Sequence, residues 1–261
     1  MPKPLKFLAF DTSTDRLSVA VTDGARVWQH SGPGGAQAST TLIPAILALL
    51  AEAGMGLGEM DAIAFGRGPG SFTGLRTACA VAQGLAFGAN QGVGIPVLPV
   101  DTLMAVAEEA RFQQDGAVAA GDAHFTITAL LDARMDEMYV QSYEFNSGVY
   151  TPINDCELIR PENMVHGASV RLLAGNVFGV YAGRLPAGLA ALTCIDALPT
   201  ATALLRLAPA LAAAGCMHAA LALPLYVRDK VAQTTDERAQ IKADALAAQA
   251  ALAAPGIPLE S

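Results

Sequence analysis

From Leu5 to Phe10 the chain is almost continuously apolar up to Asp11, the pattern of a buried strand. Leu17 to Val21 alternates and reads as a second strand, and Asp23-Gly24 supplies a hairpin turn into a third around Val27 to His30. After the glycines of Gly32 to Gly35, Leu42, Ile46, Leu49, Leu50 and Ala53 recur at helical spacing, and Gly54 and Gly56 stop that helix. Asp61 to Phe65 predicts a short buried strand, followed by a Gly-Pro turn and another helix. Ile95 to Val100 predicts one more strand, with Asp101 or Thr102 capping a helix that begins at Leu103.

The same order then starts again. Thr126 to Leu131, Met138 to Phe145 and Val149 to Ile153 read as strands, Pro161-Glu162 opens a short helix, and Val170 to Ala174 is a further strand. Beyond Pro199 the chain is Ala- and Leu-rich and reads as helical. Two halves with one element order imply an internal duplication. Asp11-x-x-x-Asp15 before Leu17 is echoed by Asp132-x-x-x-Asp136 before Met138. In both halves a strand ends in aspartate and turns back. The first turn, Asp11-Thr12-Ser13-Thr14, has two readings: a cradle for phosphate, with Asp132 as its counterpart, or a turn that satisfies its own backbone.

Gly66 to Thr77 is the most informative stretch (Gly-Arg-Gly-Pro-Gly-Ser-Phe-Thr-Gly-Leu-Arg-Thr). It links a strand to a helix that Ser71 or Thr73 can cap. Gly68, Gly70, Ser71 and the first helical N–H groups form a candidate anion site. It is not a Walker loop, for it has no lysine. It is not G-x-G-x-x-G, because Gly74 falls one residue late, and not G-x-S-x-G, because Pro69 stands at the first glycine. Phe72, Leu75, Cys79, Ala82 and Leu85 form a core stripe. The other face carries Gly74, Thr77, Ala78, Val81, Gly84 and Gly88. A glycine inside a helix costs about 1 kcal/mol relative to alanine. Close approach of another backbone, from the second lobe or from another subunit, is the compensation this face invites.

The Gly66 to Arg76 loop and helix resemble the signature of the TsaB (glycoprotease-like) family. Phe10-Asp11-Thr12-Ser13-Thr14 resembles its opening strand and turn. Asp132-Ala133-Arg134-Met135 with Glu137 and Tyr139 resembles the start of its second lobe, and Pro224-Leu225-Tyr226-Val227-Arg228 its C-terminal signature. The resemblance implies an α/β, duplicated actin-like or sugar-kinase-like (ASKHA) fold with two βββαβαβα-type lobes. The lobes are expected at residues 1–112 and 113–235, the second with returning C-terminal helices, before an Ala-rich extension at 236–261. It further implies a non-catalytic scaffold that binds TsaD, with TsaE as third partner, and supports transfer of threonylcarbamoyl to adenosine 37 of tRNAs reading codons that begin with A. In isolation such a chain is expected to form a homodimer. The association helix would meet its partner through Arg67, Thr73, Gly74, Arg76, Thr77, Ala78, Val81, Gly84 and Gly88. The resemblance requires no cofactor and leaves room for ATP or ADP at a subunit interface. Ala38 stands where the family often has histidine, and no polar role carries over there.

Composition narrows the alternatives. Hydrophobic residues make up 52% and charged residues 15%, enough for a large core. Acidic residues outnumber basic ones by 24 to 16, a formal charge of −8, so tRNA contact is expected only through partners. Neither an export signal nor an apolar run of roughly 20 residues is apparent, which gives a cytoplasmic expectation with no membrane contact. Cys79, Cys156, Cys194 and Cys216 are spaced for free, mostly buried thiols. His30, His124, His166 and His218 are isolated, so neither a metal site nor a hydrolase triad is expected. An ATP-dependent small-molecule kinase or ATPase of the same fold is the alternative, with Asp11 and Asp132 on the phosphate side and only Gly175-Asn176 toward the adenosine.

Overall fold

The computed structural model describes residues 3–114, 124–167 and 169–228; the 236–261 extension lies outside these. The first sheet is built from β1 (Phe7–Asp11), β2 (Arg16–Thr22), β3 (Val27–Pro33), β4 (Ala62–Gly68) and β5 (Val97–Asp101) in the order β3-β2-β1-β4-β5. The first three strands are antiparallel neighbours, while β1, β4 and β5 run parallel. The second sheet holds β6 (His124–Arg134), β7 (Glu137–Asn146), β8 (Val149–Pro152), β9 (Glu157–Ile159), β10 (Val170–Gly175) and β11 (Thr193–Asp196). Its path is β11-β10-β6-β7-β8, with β9 also pairing on β7. Read from β8, this repeats the first sheet strand for strand, with β6 in the place of β1 and the same parallel and antiparallel pairs. The duplicated ASKHA architecture is therefore present.

The lobes differ in their helices. The first has α1 (Ala38–Ala53), α2 (Phe72–Gly88) and α3 (Thr102–Gln113), whereas the second has 3-10 turns at Pro161–Asn163 and Ala187–Ala191 and one long helix, α4 (Ala201–Ala214). Strand alternation distributes the core. Phe7 and Ala9 of β1 face a cluster shared with α3, α4 and the second sheet, including Leu103, Phe125, Tyr143 and Leu204. Leu8 and Phe10 face the opposite cluster, where Leu42 and Ile46 of α1 meet Ala78, Cys79 and Ala82 of α2. The α3–α4 layer thus packs against both sheets. Gly35–Ala53 is long and apolar enough to cross a membrane by length and composition, and its Leu42, Ile46, Leu49 and Leu50 are buried on the first sheet.

Several details correct the sequence reading. β9 and β11 are additional short strands. After α4 the described chain has no further helix beyond a 3-10 turn at Ala219–Leu221. Asp101 occupies the N-cap position of α3, but its carboxylate takes the Arg67 Nε (2.5 Å) instead of a helix N–H. Cys79 is buried and Cys156 half-buried, but Cys194 and Cys216 are exposed, and all four are free.

Candidate functional site

Asp11 ends β1 beside Gly66 of β4, and the chain turns there through Thr12 and Ser13. All three turn residues are buried. The backbone N–H and the hydroxyl of Ser13 both donate to Asp11 Oδ1, at 2.8 and 2.6 Å. The Thr12 hydroxyl donates to the Gly74 carbonyl (2.8 Å), and the Ser71 N–H donates to the Ser13 carbonyl (2.7 Å). The glycine-rich loop and the first turn of α2 are thus fastened onto the turn after β1. The Thr12 and Ser13 hydroxyls hold the chain together, as in a self-satisfied turn.

The glycines of the loop make this clamp sterically feasible. A Cβ on Gly74 would lie 1.8 Å from the Thr12 carbonyl oxygen, and one on Gly70 would lie 2.5 Å from that of Ser13. Gly68, with φ +124° and a cis bond to Pro69, packs against the Leu225 carbonyl, and the Leu225 N–H donates to Arg67 O (2.7 Å). Gly66, to which the sequence reading gave no site role, leaves the space that the Asp11 carboxylate fills, with a Cβ there falling 1.8 Å from Oδ2.

Asp11 Oδ2 is buried with no hydrogen-bond partner among the described residues. Burial pushes the Asp11 carboxyl up to about 6, against the two Ser13 hydrogen bonds that lower it. Because the folded value lies above the ordinary carboxyl value of 3.8, the folded chain holds this proton more tightly than the unfolded chain. The stabilisation is complete below the unfolded value and is lost as pH rises through the folded one. Asp11→Asn keeps an acceptor for Ser13 and removes the titration. Its stability relative to wild type is expected to rise by about 2.4 kcal/mol between pH 4 and pH 7, measured by urea unfolding across that range. A constant difference would show that Asp11 does not titrate there.

Asp132 occupies the corresponding end of β6, in a different environment. Its Oδ1 accepts from the Tyr181 hydroxyl (2.8 Å) and from the Arg134 N–H (2.9 Å), while its own N–H donates to Asn176 Oδ1 (2.8 Å). None of these partners belongs to the Asp11 turn, so among the described residues no hydrogen bond brings the two aspartates into one site. Groups of three or more His, Cys, Asp or Glu able to hold a metal are absent among the described residues.

On α2 the inward side carries Gly74, Leu75, Ala78, Cys79, Ala82 and Ala86. Gly74 and Ala78, expected to face a partner, are therefore turned into this chain's own core, and Gly74 is needed for the contact with Thr12. Phe72, expected in the core stripe, is only half-buried. Thr73, Arg76, Gly84 and Gly88 are exposed, and Thr77 and Val81 are half-buried. Among the described residues, and apart from the helix's own backbone, no atom lies within 4 Å of a Cβ added at Gly84 or Gly88. Ile43 and Leu47 of α1, whose helix packs beside α2, and Phe87 add exposed apolar surface. Arg67 is bound to Asp101, whereas Arg76 lies 3.8 Å over the Phe72 ring and donates from Nε to the Tyr226 hydroxyl (3.0 Å).

Two matching sheets, and a turn clamped by a glycine-rich loop at the end of the first strand, define a protein of the actin-like ASKHA class. Residues 33–208 match the family model of TsaD, tRNA N6-adenosine threonylcarbamoyltransferase. YeaZ from Pseudomonas aeruginosa is 36% identical and superposes with a TM-score of 0.74, covering 85% of this chain and 100% of that one. The tRNA threonylcarbamoyladenosine biosynthesis protein TsaB of Haemophilus influenzae is 41% identical over 135 residues, 52% of each chain. That of Escherichia coli is 34% identical over 163 residues, 62% of this chain and 65% of its own. The chain thus spans between about half and two thirds of the length of these two curated relatives. The chain belongs to the TsaD family, in its TsaB (YeaZ) group.

Proposed function

We propose that this chain is a non-catalytic subunit in the biosynthesis of threonylcarbamoyladenosine in tRNA. It pairs with a TsaD-type transferase through the outward side of α2, works with TsaE, and meets tRNA through those partners in the cytoplasm. The biosynthetic role rests on the names of its TsaB relatives. The pairing rests on one observation, the open space around Gly84 and Gly88 on an exposed helix flanked by Ile43, Leu47 and Phe87. Small residues let two helix backbones approach, and a related lobe on the partner gives a pseudo-two-fold arrangement that a second copy can also adopt. The residues of this surface are Thr73, Arg76, Thr77, Val81, Gly84 and Gly88. Residues 1–112 and 113–235 act as its two lobes.

Reconstituted threonylcarbamoyl transfer to adenosine 37 tests this reading, with TsaC, TsaD and TsaE assayed with the chain, without it, and with Gly84→Leu. The leucine projects into open space, so the fold is retained while close pairing is blocked. Modification is expected to require the chain and to fall at least tenfold with the variant, equivalent to about 1.4 kcal/mol of lost association. Equal modification with and without the chain overturns the reading. The alternative, an ATP-dependent kinase or ATPase, draws on the unpartnered Asp11 Oδ2. Magnesium-dependent ATP turnover by the chain alone, lost in Asp11→Ala, would establish it.

A further inference from the structure

The segment after α4 runs along α2. The Gln83 side chain donates to the Ala222 carbonyl (3.1 Å), Leu225 is bonded to Arg67, and Tyr226 stacks on Phe72 with ring centroids 4.8 Å apart and planes at 25°. Arg76 completes this stack. Its guanidinium carbon lies 3.8 Å from the Phe72 ring centroid, and the bond from Nε to Tyr226 fixes its rotation. Its two terminal nitrogens have no partner among the described residues and lie at an exposed position on the association helix. Arg67, the other arginine expected at this surface, is neutralised internally by Asp101. A guanidinium fixed in orientation with its fork free loses little rotamer freedom on binding a planar carboxylate by two parallel hydrogen bonds.

We infer that Arg76 receives a carboxylate from the transferase subunit, that Tyr226 is its positioning residue, and that this pair favours the transferase over a second copy of the chain. This rests on the association surface proposed above. The second step follows from charge. The 17 residues of α2 contain no aspartate or glutamate, and α1 contains only Glu52, in its last turn. A second copy that lays α2 on α2 offers Arg76 no carboxylate from the helix it meets, whereas a partner helix bearing Asp or Glu does.

The test measures affinity for the purified transferase subunit, at low and physiological salt, and self-association by sedimentation velocity. The chains compared are wild type, Arg76→Ala, Arg76→Lys, Tyr226→Phe and Gly84→Leu. Arg76→Ala is expected to weaken the heterocomplex on the order of tenfold and flatten its salt dependence, with self-association changed by less than about twofold. Arg76→Lys recovers only part of the loss, because lysine lacks the fork and the planar stack. Tyr226→Phe keeps the ring stack, removes only the acceptor for Nε, and loses an intermediate amount. The inference is overturned if Arg76→Ala and Tyr226→Phe leave the heterocomplex unchanged, or if they weaken both associations equally. Should Gly84→Leu also leave both associations intact, it is the association surface itself that fails. Disruption by Gly84→Leu alone removes the Arg76 step and leaves that surface standing.

Discussion

Gly74→Ala is expected to destabilise the chain by about 4 kcal/mol, while Gly84→Ala, ten residues along the same helix, stabilises it by up to about 1 kcal/mol. Both substitutions add one methyl group and favour the helix equally by propensity. They differ in what the methyl meets. At Gly74 it falls 1.8 Å from the Thr12 carbonyl oxygen and 2.9 Å from the Thr12 carbonyl carbon, both backbone atoms of a fully buried residue. No side chain can rotate away, so the first turn of α2 has to move. Moving it breaks the bond from the Thr12 hydroxyl to the Gly74 carbonyl and the one from Ser71 to Ser13. At Gly84 the methyl meets nothing within 4 Å. Urea unfolding of the two variants at one pH gives the sign and size of both effects. Equal effects would mean that the loop is not clamped on the turn after β1.

This contrast also marks how far the fold and the site are legible in the sequence. Strands with clear apolar alternation and helices with a full stripe are readable because their signal is local. The repeated order of strands likewise exposes the two lobes. β9 and β11, three and four residues long, carry too few positions for a period to register. The inward side of α2 depends on contacts far away in the chain. Gly74 is buried by Thr12, 62 residues earlier, and Phe72 is drawn outward to Tyr226. Periodicity alone cannot separate a glycine needed by its own chain from one left open for a partner. Gly66 is silent for the same reason, since its role appears only when β4 is laid beside Asp11. The tyrosine of the C-terminal signature has no assignable task until it is found stacked beside Arg76.

Glu108→Ala is expected to cost about 4 kcal/mol, an effect remote from both the clamp and the association helix. The side chain lies in α3 and is almost completely buried. Its Oε2 accepts from Arg111 Nε and the Tyr150 hydroxyl, both at 2.9 Å, and its Oε1 from Arg111 Nη2 (3.0 Å) and Arg206 Nε (2.6 Å). Arg206 also reaches Glu109 from α4, and Tyr150 belongs to β8, so one carboxylate joins the α3–α4 layer to the second sheet. Removing it leaves a buried hydroxyl and two partly buried guanidinium groups without their shared acceptor, which is far more costly than the net worth of the intact cluster. Glu108→Gln keeps the shape and one acceptor and should cost less than alanine. Replacing Glu108, Glu109, Arg111 and Arg206 together by apolar residues of similar size, with Tyr150→Phe, should return most of the loss, because no charge of the cluster is then stranded. Urea unfolding of the three variants, with a double-mutant cycle between Glu108 and Arg206, measures the coupling directly. A loss below about 1 kcal/mol for Glu108→Ala would show that water reaches the cluster and that packing, not the carboxylate, holds the layer to the second sheet.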